Sequence, residues 1–300
     1  MIKKYFVSLF TLISLTASGE GCFPENDLAF FANDKSNTFN EVRFRKTIQK
    51  FTAVWSPKIQ DLFGKLLLVE GRWDAPKIQA YATLDMQDNL QIIINGGMAR
   101  HPEMHEDALM LILCHELGHH LGGAPKAFRG TSERRSWSSA EGQADYFATS
   151  KCLKKIFHNE EENKLAIKKI PRDFTDRISD KFAGSTLTTA ENKCQSAGCI
   201  RIAYAALSTA KMFATLKIDL SAPKLNQSDK AIVDKTNYGH PSPQCRLDTY
   251  LSGFRCDQDP NLHFDNLDPK VGACFRASNA FDTPAAARPL CWYRPQAIFR

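Results

Sequence analysis

The chain reads as a mostly helical α+β protein with one small sheet. Three observations give that class. Several stretches carry apolar residues at helical spacing, two strand-like segments flank one polar turn, and the tail is dense in proline, glycine and cysteine.

The first 21 residues have the layout of a secretory signal. Lys3 and Lys4 form a positive start, Tyr5 to Leu15 an apolar stretch, and Thr16, Ala17, Ser18 and Gly19 a run of small residues. About 13 apolar residues are too few to cross roughly 30 Å of hydrocarbon as a helix. Cleavage is expected after Gly19 or Gly21. A lipoprotein reading, with Cys22 as an acylated first residue and lipid anchor, stays open. No later stretch is long and apolar enough to span a bilayer, so the mature chain is expected without a transmembrane span, exported to the periplasm or secreted.

After the signal, Asn40 to Val54 and Pro57 to Leu68 read as two helices, and Pro76 breaks the chain. Ile78 to Leu84 and Leu90 to Asn95 read as strands around the turn from Asp85 to Asn89, with Gly96 and Gly97 ending the second. Glu106 to Leu121 reads as a strongly apolar helix stopped by Gly122 and Gly123. The segment from Ala124 to Trp137 is polar and basic, and reads as a solvated flap. Ser138 or Ser139 can cap a helix that runs to about Ile156. Further helices are expected over Glu160 to Lys169, Arg172 to Phe182 and Ile200 to Leu216. From Asn237 onward a stapled, loop-rich tail is expected. The domain reading is a signal over 1–21, one domain over 22–255, and a cysteine-containing extension over 256–300 packed on that domain.

Composition narrows the function classes. With 43% hydrophobic residues, 300 residues can bury a real core. The net charge of +6 is spread along the chain, which argues against a nucleic-acid partner. Nine cysteines with no CxxC pair point to structural disulfides in an oxidising compartment. The odd count leaves at least one free, lipidated or paired between chains.

The chemistry concentrates in Cys114-His115-Glu116-Leu117-Gly118-His119-His120, an HExxH string inside a predicted helix. Residues four apart share a face, so His115 and His119 can converge on one ion. Glu116 lies about 100° round, placed to reach a water on that ion. HExxH alone occurs by chance on core helices. Downstream, however, Glu141 and Asp145 are again four apart on one predicted helix. Glu141 supplies the third ligand of a His2Glu zinc site, and Asp145 can accept the outer N–H of a ligand histidine. An acid at a helix N-terminus would explain Glu141 alone but not Asp145. One Zn2+ per chain is therefore the expected cofactor.

These elements resemble the gluzincin metallopeptidases of the CAAX prenyl protease and HtpX type, over roughly residues 78–156 and 237–250. The matching parts are the strand Leu90 to Asn95 with its Gly-Gly turn, the HELGH helix, the Glu141 to Asp145 segment, and His240-Pro241-Ser242-Pro243-Gln244-Cys245-Arg246. The resemblance implies a zincin-like fold with a small mixed sheet, and peptide hydrolysis with Glu116 as general base. It also implies that His240 stabilises the oxyanion and that Arg246 supports that site. Gly239 stands where threonine is common, the membrane helices usual in the family are missing, and the region after Cys256 matches nothing in it.

Gln91, Ile92, Ile93, Ile94 and Asn95 are expected to pair with an extended peptide or protein substrate as an added strand, provided one strand edge is open. Cys114 is expected to be a buried thiol: Cys152 lies about 16 Å beyond Glu141 along its helix, whereas bridged Cα atoms sit within about 7 Å. His101, His105 and His120 receive no task. Two other classes compete with the endopeptidase. One is a zinc amidase acting on cell-wall peptides; the other is a non-catalytic metal-bound module.

Overall fold

The structure, a computed structural model, describes residues 23–33, 39–128, 135–175, 178, 196–216, 221–275 and 285–295. The signal segment and Cys22 lie outside the described residues, as does most of the helix expected over Arg172 to Phe182.

Helix α1 (Glu41–Phe63) begins where the Asn40 side chain accepts from the Arg43 amide, and ends at Gly64 in the left-handed region. Phe44, Thr47, Phe51, Trp55 and Ile59 form its buried face. Two helices were expected here, split before Pro57, but the helix runs through that proline. An interior proline costs about 3 kcal/mol, whereas burying Trp55 and Ile59 returns about 1.5–3 kcal/mol for each side chain. The continuous apolar face outweighs the lost bond.

The residues expected to close a second helix instead open strand β1 (Leu67–Arg72), whose side chains alternate between buried and exposed. With β2 (Ala80–Leu84) and β3 (Leu90–Asn95) it makes a mixed sheet in the order β1-β3-β2. β1 runs parallel to β3 and β2 antiparallel to it. In the β2–β3 turn the Asp85 carboxylate accepts from the amides of Gln87 and Asn89, both at 2.8 Å. The expected substrate strand is corrected by this order. Every residue from Gln91 to Asn95 has a partner on β1, and Gln91 to Ile94 also have partners on β2, so the central strand has no open edge for a peptide.

A single turn, α2 (Gly96–Ala99), comes after the sheet. Then α3 (Glu106–Leu121) runs through the core, with every residue from Ala108 to His119 buried. The basic flap is in part a hairpin, β4 (Lys126–Phe128) against β5 (Arg135–Ser139), with Lys126 opposite Ser139. Neither serine caps the next helix: its N-cap is Ala140, and the Ser139 hydroxyl donates to the Gly123 carbonyl at 2.7 Å. That helical run starts as α4 (Glu141–Phe147), widens to a π-helix over Ala148–Cys152, and closes as α5 (Leu153–Ile156).

Helices α6 (Glu160–Ile167) and α7 (Ala197–Thr215) come next, with α7 packed against α3. The tail departs from expectation. Residues 243–255, read as loop, form helix α8 (Pro243–Arg255), capped by the Ser242 hydroxyl accepting from the Cys245 amide. Disulfides Cys245–Cys291 and Cys256–Cys274 fasten the C-terminal segment to this helix and its end. Trp292, fully buried, lies against Gly142 so closely that a Cβ there would stand 2.2 Å from its ring. No helix among the described residues is long and apolar enough to cross a membrane.

Candidate metal centre

Two helices bring the centre together. α3 carries His115, Glu116 and His119, and α4 carries Glu141 and Asp145. They meet at Gly118, where a Cβ would come within 2.8 Å of both the Cα and the carbonyl oxygen of Ala144. The glycine between the two histidines is thus what lets the second helix approach.

The side chains converge as the spacing requires. Nε2 of His115 stands 3.1 Å from Nε2 of His119 and 3.4 Å from Oε2 of Glu141, and Nε2 of His119 stands 3.5 Å from Oε1 of Glu141. All three side chains are buried and form a group that could hold a metal ion. In a tetrahedral zinc site with bonds of about 2.0–2.1 Å, neighbouring ligand atoms are about 3.3–3.4 Å apart, so these separations already fit.

Proton placement makes the same point. The Ser139 carbonyl, 2.9 Å from Nδ1 of His119, can only accept, so that nitrogen carries the hydrogen. Nδ1 of His115 lies 2.6 Å from Oδ1 of Asp145, which accepts in the same way. With the hydrogens on Nδ1, each ring in its neutral form turns a lone pair on Nε2 toward the other. Burial lowers the His119 imidazole to about 4, which keeps that ring neutral at pH 7. Burial pushes the Glu141 carboxyl up, but positive charge on the imidazoles of His119, His115 or His240 holds it well below the usual range, so the pocket favours a carboxylate that faces a cation. Two lone pairs and a carboxylate facing one another within 3.5 Å is an arrangement a cation relieves.

Around this core, Nη2 of Arg246 sits 2.7 Å from Oδ1 of Asp145 and 3.9 Å from Oε2 of Glu141. Its guanidinium, almost wholly buried, covers the Phe213 ring at 3.7 Å. Burial raises the Asp145 carboxyl, but Arg246 and His115 hold it down overall. Arg246 thus stands behind Asp145 and His115 and reaches to within 3.9 Å of Glu141. His240, about a third exposed, lies with Nε2 3.6 Å from Oε1 of Glu141. Glu116 is fully buried beside His115.

The expected free thiol at Cys114 is a second correction. Cys114 is bridged to Cys152, with Cα atoms 5.5 Å apart. The distance along one helix from Glu141 was the wrong measure, because Cys114 sits on the neighbouring helix and faces the π-helical stretch. Ser138 and the Ser139 carbonyl, both at Nδ1 of His119, were missed as site groups. A backbone carbonyl leaves no side-chain pattern to read. His120 leaves the centre: it stacks on Trp137 and meets the Gln91 carbonyl at 3.2 Å. His101 and His105 pair instead with the hydroxyls of Thr215 and Ser208. Compared with known proteins, the chain matches no family model, no curated protein and no solved structure.

Proposed function

We propose that the protein is an exported zinc endopeptidase of gluzincin type, with His115, His119 and Glu141 as metal ligands. The observation that carries this reading is the buried triangle of two imidazole nitrogens and a carboxylate, at tetrahedral spacing, with a glutamate as the residue after the first histidine. The motif order over HELGH, Glu141 to Asp145 and His240 to Arg246 supports it. So does disulfide bonding, which persists in an oxidising compartment.

Zinc bound there supplies a Lewis acid that polarises a carbonyl and acidifies water. The remaining work falls to the side chains. Asp145 and the Ser139 carbonyl hold the two imidazoles in the tautomer that leaves Nε2 available. Arg246 keeps Asp145 ionised. Glu116 takes the proton of the attacking water and returns it to the leaving amine. His240 donates to the oxygen that gains charge, a contact typically worth about 10²–10³ in rate, so His240→Ala slows turnover without abolishing it.

The test is zinc content together with casein cleavage in wild type and Glu116→Gln. One zinc in both proteins and cleavage only in wild type is the expected result. Zinc-loaded wild type inert on casein but active on cell-wall fragments replaces the endopeptidase with an amidase. Inertness on both leaves a metal-bound module.

A further inference from the structure

A recess lies between the β4–β5 hairpin and the segment that leads to His240. Its lining includes Lys126, Thr236, Tyr238, Tyr293 and Arg294. One wall is tied to each side of the centre. Lys126 is the ladder partner of Ser139, whose carbonyl holds His119, and Tyr238 precedes His240 by two residues. Phe128 meets the Tyr238 ring edge-on at 4.5 Å, closing the hairpin against the segment that leads to His240.

Lys126 is unusual for a hairpin lysine. It is only 7% exposed, and its ammonium donates to the Trp137 carbonyl at 2.9 Å. Burial lowers it to about 8, and no acid offsets that shift. Of the acids near the lining, Asp265 accepts from the amides of Leu267 and Asp268, and Asp268, which acts on Tyr293, accepts from that of Lys270. At the rim, Arg294 is exposed, while its backbone exchanges hydrogen bonds with the Thr236 hydroxyl. The described residues that line the recess thus include one buried and one exposed cation and aromatic walls, and no carboxylate is among them. Among the described residues Lys126 is matched to a carbonyl and to no carboxylate, and buried cations are ordinarily paired, so an anion brought from outside suits the recess.

We propose that this recess is a substrate subsite for a carboxylate, held by Lys126 and Arg294 beside the scissile bond. This deepens the peptidase reading and rests on it. Side chains on one face of an extended peptide recur at about 6.6–6.8 Å, so a residue close to the bond under attack can reach this recess. The carboxylate is either an acidic side chain or the peptide's own C-terminus.

The test uses zinc-loaded full-length protein and matched quenched peptides carrying Glu or Gln at one scanned position, each with a free or an amidated C-terminus. Charged hydrogen bonds of this kind predict about tenfold or greater preference in kcat/KM for the carboxylate form. If Glu against Gln decides the rate, the ligand is a side chain; if free against amidated decides it, the ligand is the terminus. Lys126→Met should bring the ratio close to one, and Arg294→Glu, at an exposed position where folding is not at risk, should reduce or invert it. Equal rates for all four peptides, or a preference that survives both substitutions, overturns the subsite. If no peptide is cut, the peptidase reading fails separately, and fluorescence anisotropy of the same peptides then decides. Tighter binding of the carboxylate forms that Arg294→Glu abolishes supports the subsite, and indifference to charge overturns it.

Discussion

Asp145 shows how much one side chain governs in this molecule. It accepts from His115 on one side and from Arg246 on the other. Asp145→Asn removes the charge that orients His115 and leaves the Arg246 guanidinium buried with a weaker partner. Loss of such an outer contact typically weakens metal binding by about 10–100-fold, and competition with a fluorescent chelator reads this directly. Unchanged affinity would detach Asp145 from the centre. Two histidines away from the centre give a pH prediction. Burial lowers both His101 and His105 from 6.5 to about 4. Their folded values lie below their unfolded ones, so the unfolded chain takes up protons first as pH falls. Stability should therefore decline between about pH 6.5 and 4, by up to about 3 kcal/mol for each group. Thermal melts across that range should show the slope, and His105→Gln should flatten part of it.

Among the elements, α3 was legible to the residue. Its acidic start, unbroken apolar body and Gly122-Gly123 stop all agree. β3 and its turn were legible because Asp85 and the branched residues announce them. β1 was not, since Leu67 and Leu68 also continue the helical spacing of the preceding helix, and only pairing with β3 decides between the two periods. α8 was hidden because proline and cysteine suggested a stapled loop, although Ser242-Pro243 is an ordinary helix start. The π-helix has no sequence signature here. The contact between α3 and α4 gives an element-scale prediction. Gly118→Ala forces the helices apart by placing a methyl against Ala144, which should cost about 1–3 kcal/mol and weaken zinc binding together with it. Denaturant melts with and without zinc separate the two effects, and a neutral result would mean that the two helices cross less tightly than the Gly118–Ala144 approach requires.

Across the whole molecule, covalent links fix what packing begins. Cys114–Cys152 joins the helix bearing the histidines to the run that starts with Glu141 and Asp145, closing a separation of 38 residues. Removing both cysteines with alanine should lower stability by about 2–4 kcal/mol, read as a shift in denaturant midpoint. The converging side chains were readable from chain spacing because His115 and His119 lie four apart on one helix, and Glu141 and Asp145 four apart on the next. The open strand edge and the free thiol were misread because sheet order and the meeting of helices are properties of the fold, not of any segment. The most direct measurement is X-ray absorption at the zinc edge on protein purified without chelators. A centre built from His115, His119 and Glu141 should show one zinc per chain with only nitrogen and oxygen neighbours at about 2.0–2.1 Å and the scattering pattern of two imidazoles. Absence of bound zinc, or a sulfur neighbour near about 2.3 Å, would contradict it.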